Sequence, residues 1–135
     1  MKMMRYMMMA VLALIAVGCD QVLTNEYPYG QEFVLANGQR ALVGGEALIR
    51  VVGVTEGRCP APVECFWEGN ATVDLEMRLS GYAPERFTLN TYHSYTRDTT
   101  IRGINVALVD LAPYPQSANF PTDPDDFQVR LRVSR

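Results

Sequence analysis

Along most of the chain, apolar and polar residues alternate with a period of two, which is the signature of strands with one face buried and one wet. The clearest run spans residues 70–79. Ala71, Val73, Leu75, Met77 and Leu79 fall on one face, and Thr72, Asp74, Glu76 and Arg78 on the other, where solvated charge is expected. Upstream, Phe33 and Leu35 alternate with Val34 and Ala36. Asn37-Gly38 then gives the strongest short hairpin signal, with 39–43 as the returning strand. Gly44-Gly45 turns the chain again into 46–54, rich in β-branched residues. Downstream, 86–91 places Phe87 and Leu89 on one face, and 92–99 is polar enough for an exposed loop. The run 100–111 continues through Ile104, Val106 and Leu108, with Asp110 next in phase. Pro113, Pro115, Pro121 and Pro124 mark a long connection without helical period, and 126–133 alternates Phe127, Val129, Leu131 and Val133 against polar residues. Seven short strands without an amphipathic helix predict an all-β fold, an antiparallel β-sandwich, with a small β-barrel as the alternative.

The first nineteen residues break this period. Met1-Lys2-Met3-Met4-Arg5 is a basic head, 6–17 is an apolar run, and Ala16-Val17-Gly18 places small residues before Cys19. This is the layout of a bacterial lipoprotein signal-peptide helix over 1–18, with cleavage before Cys19, diacylglyceryl on its thiol and palmitate on the amine that cleavage frees. Ala16-Val17-Gly18 also suits the ordinary signal peptidase, which would leave Cys19 as a free thiol. The apolar run falls short of the roughly 20 residues of a membrane-spanning helix. The expected organisation is a signal peptide over 1–18, a lipidated N-terminus and tether over 19–31, and the sandwich domain over 32–135. The expected location is the bacterial envelope, inner or outer membrane left open.

Cleavage changes the charge. Losing Lys2 and Arg5 leaves ten cations, all arginine, against fifteen acids, a net −5. Such a balance argues against nucleic acid, which needs a basic patch, and against a polybasic grip on anionic lipid. It also leaves three cysteines with two fates. Export meets an oxidising compartment, so with Cys19 taking lipid, Cys59 and Cys65 are expected to pair. Closing so short a loop contributes only about 2 kcal/mol by chain entropy, so its main effect is to hold one loop's shape. Two cysteines without a neighbouring histidine cannot fill a zinc site, and their spacing is not that of a Cys-x-x-Cys redox centre.

The densest cluster of unusual residues is 57–71, with the two cysteines, Pro60 and Pro62, and the only tryptophan. Arg58-Cys59-Pro60, five residues between the cysteines, and Cys65-Phe66-Trp67-Glu68-Gly69 lead into the strand at Asn70. Here the chain resembles a group of small bacterial lipoproteins and secreted domains with an Arg-Cys-Pro, Cys-x-Trp-x-Gly arrangement. The resemblance extends to the hairpin near Phe33 and to Val109-Asp110-Leu111-Ala112-Pro113-Tyr114-Pro115, and covers roughly 32–134. It implies an all-β fold and carries no activity with it. A structural reading of the cluster has Trp67 burying a large area beside the disulfide, Gly69 in a tight turn and Arg58 bonding carbonyls. A functional reading has a rigid loop presented to a partner through Arg58, Val63, Glu64, Phe66 and Trp67.

No constellation makes an enzyme. His93 is the only histidine and lies in a polar loop, where a triad with Asp98 lacks a nucleophile elbow. Asp123, Asp125 and Asp126 form a weak calcium candidate whose spacing does not match an EF-hand. Tyr92, Tyr95, Tyr114 and Phe120 lie in loops that could line a sugar or peptide groove. The expected function is a non-catalytic, membrane-anchored envelope lipoprotein presenting a β-sandwich for binding or a structural role. The alternative is a disulfide-loop protease inhibitor or a carbohydrate-binding module. No cofactor is implied. Expected partners are the membrane, through Cys19, and an envelope protein or glycan.

Overall fold

In the computed structural model, which describes residues 24–119 and 123–135, the alternating runs become nine strands. They are β1 (Asn25–Tyr27), β2 (Glu32–Ala36), β3 (Arg40–Val43), β4 (Ala47–Thr55), β5 (Thr72–Leu79), β6 (Glu85–Asn90), β7 (Asp98–Ile101), β8 (Ile104–Ala112) and β9 (Gln128–Ser134). One sheet has the order β1-β3-β4-β5-β6 and the other β2-β9-β8-β7; only β1 and β3 run parallel. The two sheets pack into a β-sandwich. The expected signal peptide, Cys19 and Phe120 lie outside the described residues. No helix among the described residues is long and apolar enough to cross a membrane.

The period of two explains the core. Phe33 and Leu35 from β2, Ile49 and Val51 from β4, Val73, Leu75 and Met77 from β5, and Val129, Leu131 and Val133 from β9 all bury their side chains between the sheets. Burying each aliphatic group contributes about 1.5–3 kcal/mol, which is why a single frame of alternation decides which face turns inward.

Four expectations change. Asn37-Gly38 does not close a hairpin: β2 pairs with β9, β3 pairs with β4, and the turn carries the chain from one sheet to the other. Gly38 has φ 77 and Asn37 is not left-handed, so the type I′ turn that keeps two strands together does not form and they splay apart. Gly44 and Gly45, at φ 59 and 70, do make that turn between β3 and β4. Secondly, the expected tether holds a strand: β1 lies alongside β3, and Tyr27 stacks on Phe33 with ring centroids 4.8 Å apart. Thirdly, the run 100–111 is split by a hairpin turn at Arg102-Gly103, both with positive φ, giving β7 and β8. Fourthly, Glu76 is not solvated. It sits on the outer face of β5, but Arg78 and Arg86 close over it at 2.7 and 3.1 Å, leaving its side chain 6% exposed.

These ion pairs, Arg78 before Arg86, hold the Glu76 carboxyl below the usual carboxylate range. A second polar cluster joins the sheets at the Gly44-Gly45 turn. The Tyr29 hydroxyl donates to Glu46 at 2.6 Å, and Arg135, following β9, also binds that carboxylate. Burial, then the Glu46 bond, pushes the Tyr29 phenol up to about 12, while the Tyr29 bond keeps Glu46 low.

Candidate functional site

The residues 56–70 fold into a loop outside the sandwich, closed at three levels. At its base, Cys59 N–H donates to the Glu68 carbonyl at 2.8 Å and Asn70 N–H to the Gly57 carbonyl at 3.1 Å. These bonds draw the two legs together so tightly that Gly69, at φ 74, has backbone where a Cβ would be. Above the base, Cys59 and Cys65 form the expected disulfide, with Cα atoms 6.1 Å apart. At the tip, Val63 N–H closes a turn onto the Pro60 carbonyl at 3.0 Å.

Arg58 fastens this loop to β8. Its Nε and Nη2 grip the Glu56 carboxylate, the shortest contact being 2.6 Å. Nη1 donates to the Leu111 carbonyl at 2.7 Å and Nη2 to the Pro113 carbonyl at 2.9 Å. Glu56 also accepts the N–H groups of Gly57 and Arg58. Tyr114 completes the join, its hydroxyl donating to the Cys59 carbonyl at 2.7 Å with the Arg58 guanidinium 4.9 Å from its ring centroid. Ala61 N–H donates to the Pro115 carbonyl at 3.0 Å. Arg58 thus bonds carbonyls as expected, but those of Leu111 near the end of β8 and of Pro113 just after it, and its donors are spent there rather than offered to a partner.

A second clamp fixes the loop between β6 and β7. Asn70 Oδ1 accepts the N–H groups of Thr91 and Tyr92 at 3.1 and 3.0 Å, and Nδ2 donates to Asn90 at 2.9 Å. Thr91 Oγ1 in turn accepts Ala71 N–H at 2.8 Å. This sets Tyr92 on the disulfide side. Its ring meets Trp67 edge-on at 5.5 Å and Tyr95 at 5.0 Å, and His93 Nδ1 lies 2.9 Å from Glu68 Oε1.

Between these two clamps is a cavity of about 300 Å³, lined by Arg58, Glu68, Tyr92, His93, Arg97, Asp110 and Tyr114 among others. Its wall along β8 follows from a bulge. The register of β8 on β9 shifts between Leu108 and Asp110, so the core-facing phase passes to Leu111, which is 2% exposed, and Asp110 turns out into the cavity. The alternation that puts Asp110 in phase with Ile104 fails at this one extra residue. Arg97, the residue before β7, accepts the Leu108 N–H at its carbonyl and reaches the Leu108 and Val109 carbonyls with its guanidinium at 3.5 Å.

The loop residues divide accordingly. Val63 and Glu64 are exposed at the tip, Phe66 stands fully in solvent, and Trp67 is 53% exposed, so it does not bury the area expected of it. The loop rides outside the core, whose burial resumes at Ala71. Tyr95 and Tyr114 are also exposed. Asp98 bonds Asn105 rather than His93. The calcium candidate does not assemble: Asp123 caps the 3-10 turn Pro124–Asp126 by accepting Asp125 N–H, Asp125 faces Asn37, and no group of three metal-binding side chains gathers among the described residues.

Glu56, Glu68, Asn70, Arg97 and Asp110 are the site residues that sequence reasoning passed over. Asn70 carries the only local signal, an asparagine at a strand start able to satisfy turn N–H groups; the others meet only through the fold. No protein-family model, curated protein or solved structure matches this chain.

Proposed function

We propose that this chain is a bacterial envelope lipoprotein, anchored through lipid on Cys19, whose β-sandwich is a non-catalytic binding module. Its binding surface is the disulfide loop together with the adjoining cavity. The observation that carries this reading is the exposure of Phe66 and Trp67 on a loop held by a disulfide, a backbone ladder and the Arg58 clamp. Large apolar groups are held out of the core on a backbone with little entropy left to lose, an arrangement that favours binding over packing. Protease inhibition has less support, because proteases grip extended segments and the tip is closed by the Val63 turn.

Two measurements test this. Mass spectrometry of the membrane-extracted protein should find Cys19 at the N-terminus and acylated; an unmodified Cys19 removes the anchor. A photo-crosslinking amino acid at Phe66 should give a discrete envelope adduct in living cells, lost when Trp67 is replaced by alanine. Equal adducts from a crosslinker at Thr100, on β7, would overturn the loop as binding surface.

A further inference from the structure

The cavity's chemistry is specific enough to name a ligand class. We propose that it is a subsite for one neutral pyranose unit of a glycan, which deepens the binding reading above and rests on it.

Charge comes first. Arg58 is neutralised by Glu56 and Glu68 faces His93, leaving Arg97 and Asp110 as the groups with capacity to spare. No described residue binds the Asp110 carboxylate, and the Arg97 guanidinium makes only the two long contacts to β8 carbonyls. Arg97 bonds the carbonyls just before Asp110 in sequence, yet the two do not close an ion pair. The cavity's lining therefore holds one strong donor and one strong acceptor of opposite charge. A sugar's vicinal diol answers both: one hydroxyl donates to Asp110 while its neighbour accepts from Arg97.

The aromatic surface fits the same ligand. Tyr92 and Tyr114 line the cavity, each ring fixed by its own contacts, and Trp67 extends the Tyr92 wall outward. Pyranose rings present C–H faces that lie against such rings while their hydroxyls turn to polar groups. Tyr92 packs edge-to-face against Trp67 and against Tyr95, at 86° and 74°, which fixes its ring beside the cavity. At about 300 Å³ the cavity is at the lower end of small-molecule sites, a size for one ring with the chain continuing past it.

Trp67 is the only tryptophan, so its emission reports on this wall alone. The experiment titrates the full chain, in a detergent without a sugar headgroup, with neutral tetrasaccharides of glucose, mannose and N-acetylglucosamine. At least one should shift Trp67 emission saturably, with a dissociation constant of about 1 mM or tighter. Asp110→Asn should weaken that binding about tenfold, the loss of one charge-assisted hydrogen bond, and Tyr92→Ala at least as much. Asp74→Asn, on the outer face of the other sheet, should leave it unchanged. Asp110 is exposed, so folding of its variant is secure, and circular dichroism checks Tyr92→Ala.

No response to any sugar at about 10 mM, binding indifferent to Asp110→Asn, or saturation by choline instead would each overturn the saccharide subsite. If the sugars fail while the Phe66 adduct persists, only the ligand class is lost. If the adduct also disappears, the binding reading falls with it. Hydrolysis of the bound sugar would support the subsite and overturn the non-catalytic assignment.

Discussion

At the scale of single residues, Gly69 shows how little side-chain chemistry some site positions need. It has a left-handed backbone, and an added Cβ would press on the backbone of Gly57, Arg58 and Cys59, which cannot move without opening the loop's base. Gly81 shares the left-handed φ, at 82, but has open space around it. Alanine should therefore cost about 1 kcal/mol at Gly81, from the left-handed backbone alone, and more than about 3 kcal/mol at Gly69, where overlap is added. Urea denaturation of both variants measures the difference. Equal losses would mean the ladder between Gly57 and Gly69 does not hold the loop. Arg102 makes the opposite point: at φ 51 it is the only left-handed non-glycine among the described residues. An arginine seldom announces such a turn, which is why the β7–β8 hairpin is hidden in the sequence.

At the scale of elements, the disulfide loop depends more on Arg58 than on its disulfide. Arg58 and Glu56 have side chains only 8% and 10% exposed. Removing one partner strands the other, and here also leaves the Leu111 and Pro113 carbonyls without their donor. Arg58→Met should cost about 3–5 kcal/mol, whereas replacing both cysteines by serine should cost about 2 kcal/mol. Adding Glu56→Gln to Arg58→Met should recover part of the loss, because the stranded charge is gone. A cost below about 1 kcal/mol for Arg58→Met would remove it as the clamp.

The same elements show what the sequence makes legible. Strand β5 is written out in its alternation, and the disulfide is legible from the cysteine count together with the expected export. The Asn37-Gly38 turn is misleading because its dipeptide specifies a bend, while the partners of β2 and β3 are chosen by core faces far along the chain. The cavity is the least legible part. Glu68, Tyr92, Arg97 and Asp110 come from the disulfide loop, the β6–β7 loop and β8, and Asp110 faces the cavity only because a bulge inserts one residue. No local period encodes that meeting.

At the scale of the whole molecule, the two sheets are joined at one corner by Tyr29, Glu46 and Arg135, and the outer face of β5 is closed by Glu76 with its arginines. Both carboxylates titrate below their ordinary range in the fold. A depressed folded value means the native state holds the charged form more tightly, so this stability is complete above the unfolded value of about 4.3 and is lost as pH falls through the folded ones. Tyr29 has the opposite sign. Its phenol is raised to about 12, so its contribution is complete below the unfolded value of about 10 and is lost as pH climbs from there to the folded one. The stability of the sandwich should thus fall on both sides of a broad plateau. Glu46→Gln with Glu76→Gln should lower the plateau and flatten the acid limb. Tyr29→Phe should flatten the alkaline limb while leaving the part of the acid limb due to Glu76. Denaturation midpoints from pH 3 to 12 measure all three chains, and an acid limb unchanged in the double variant would show that other carboxylates carry it. None of these groups lines the cavity, so sugar binding at Asp110 and Arg97 should persist in the double variant at neutral pH. Its loss there would mean that the corner and the cavity are coupled through the core rather than merely sharing it.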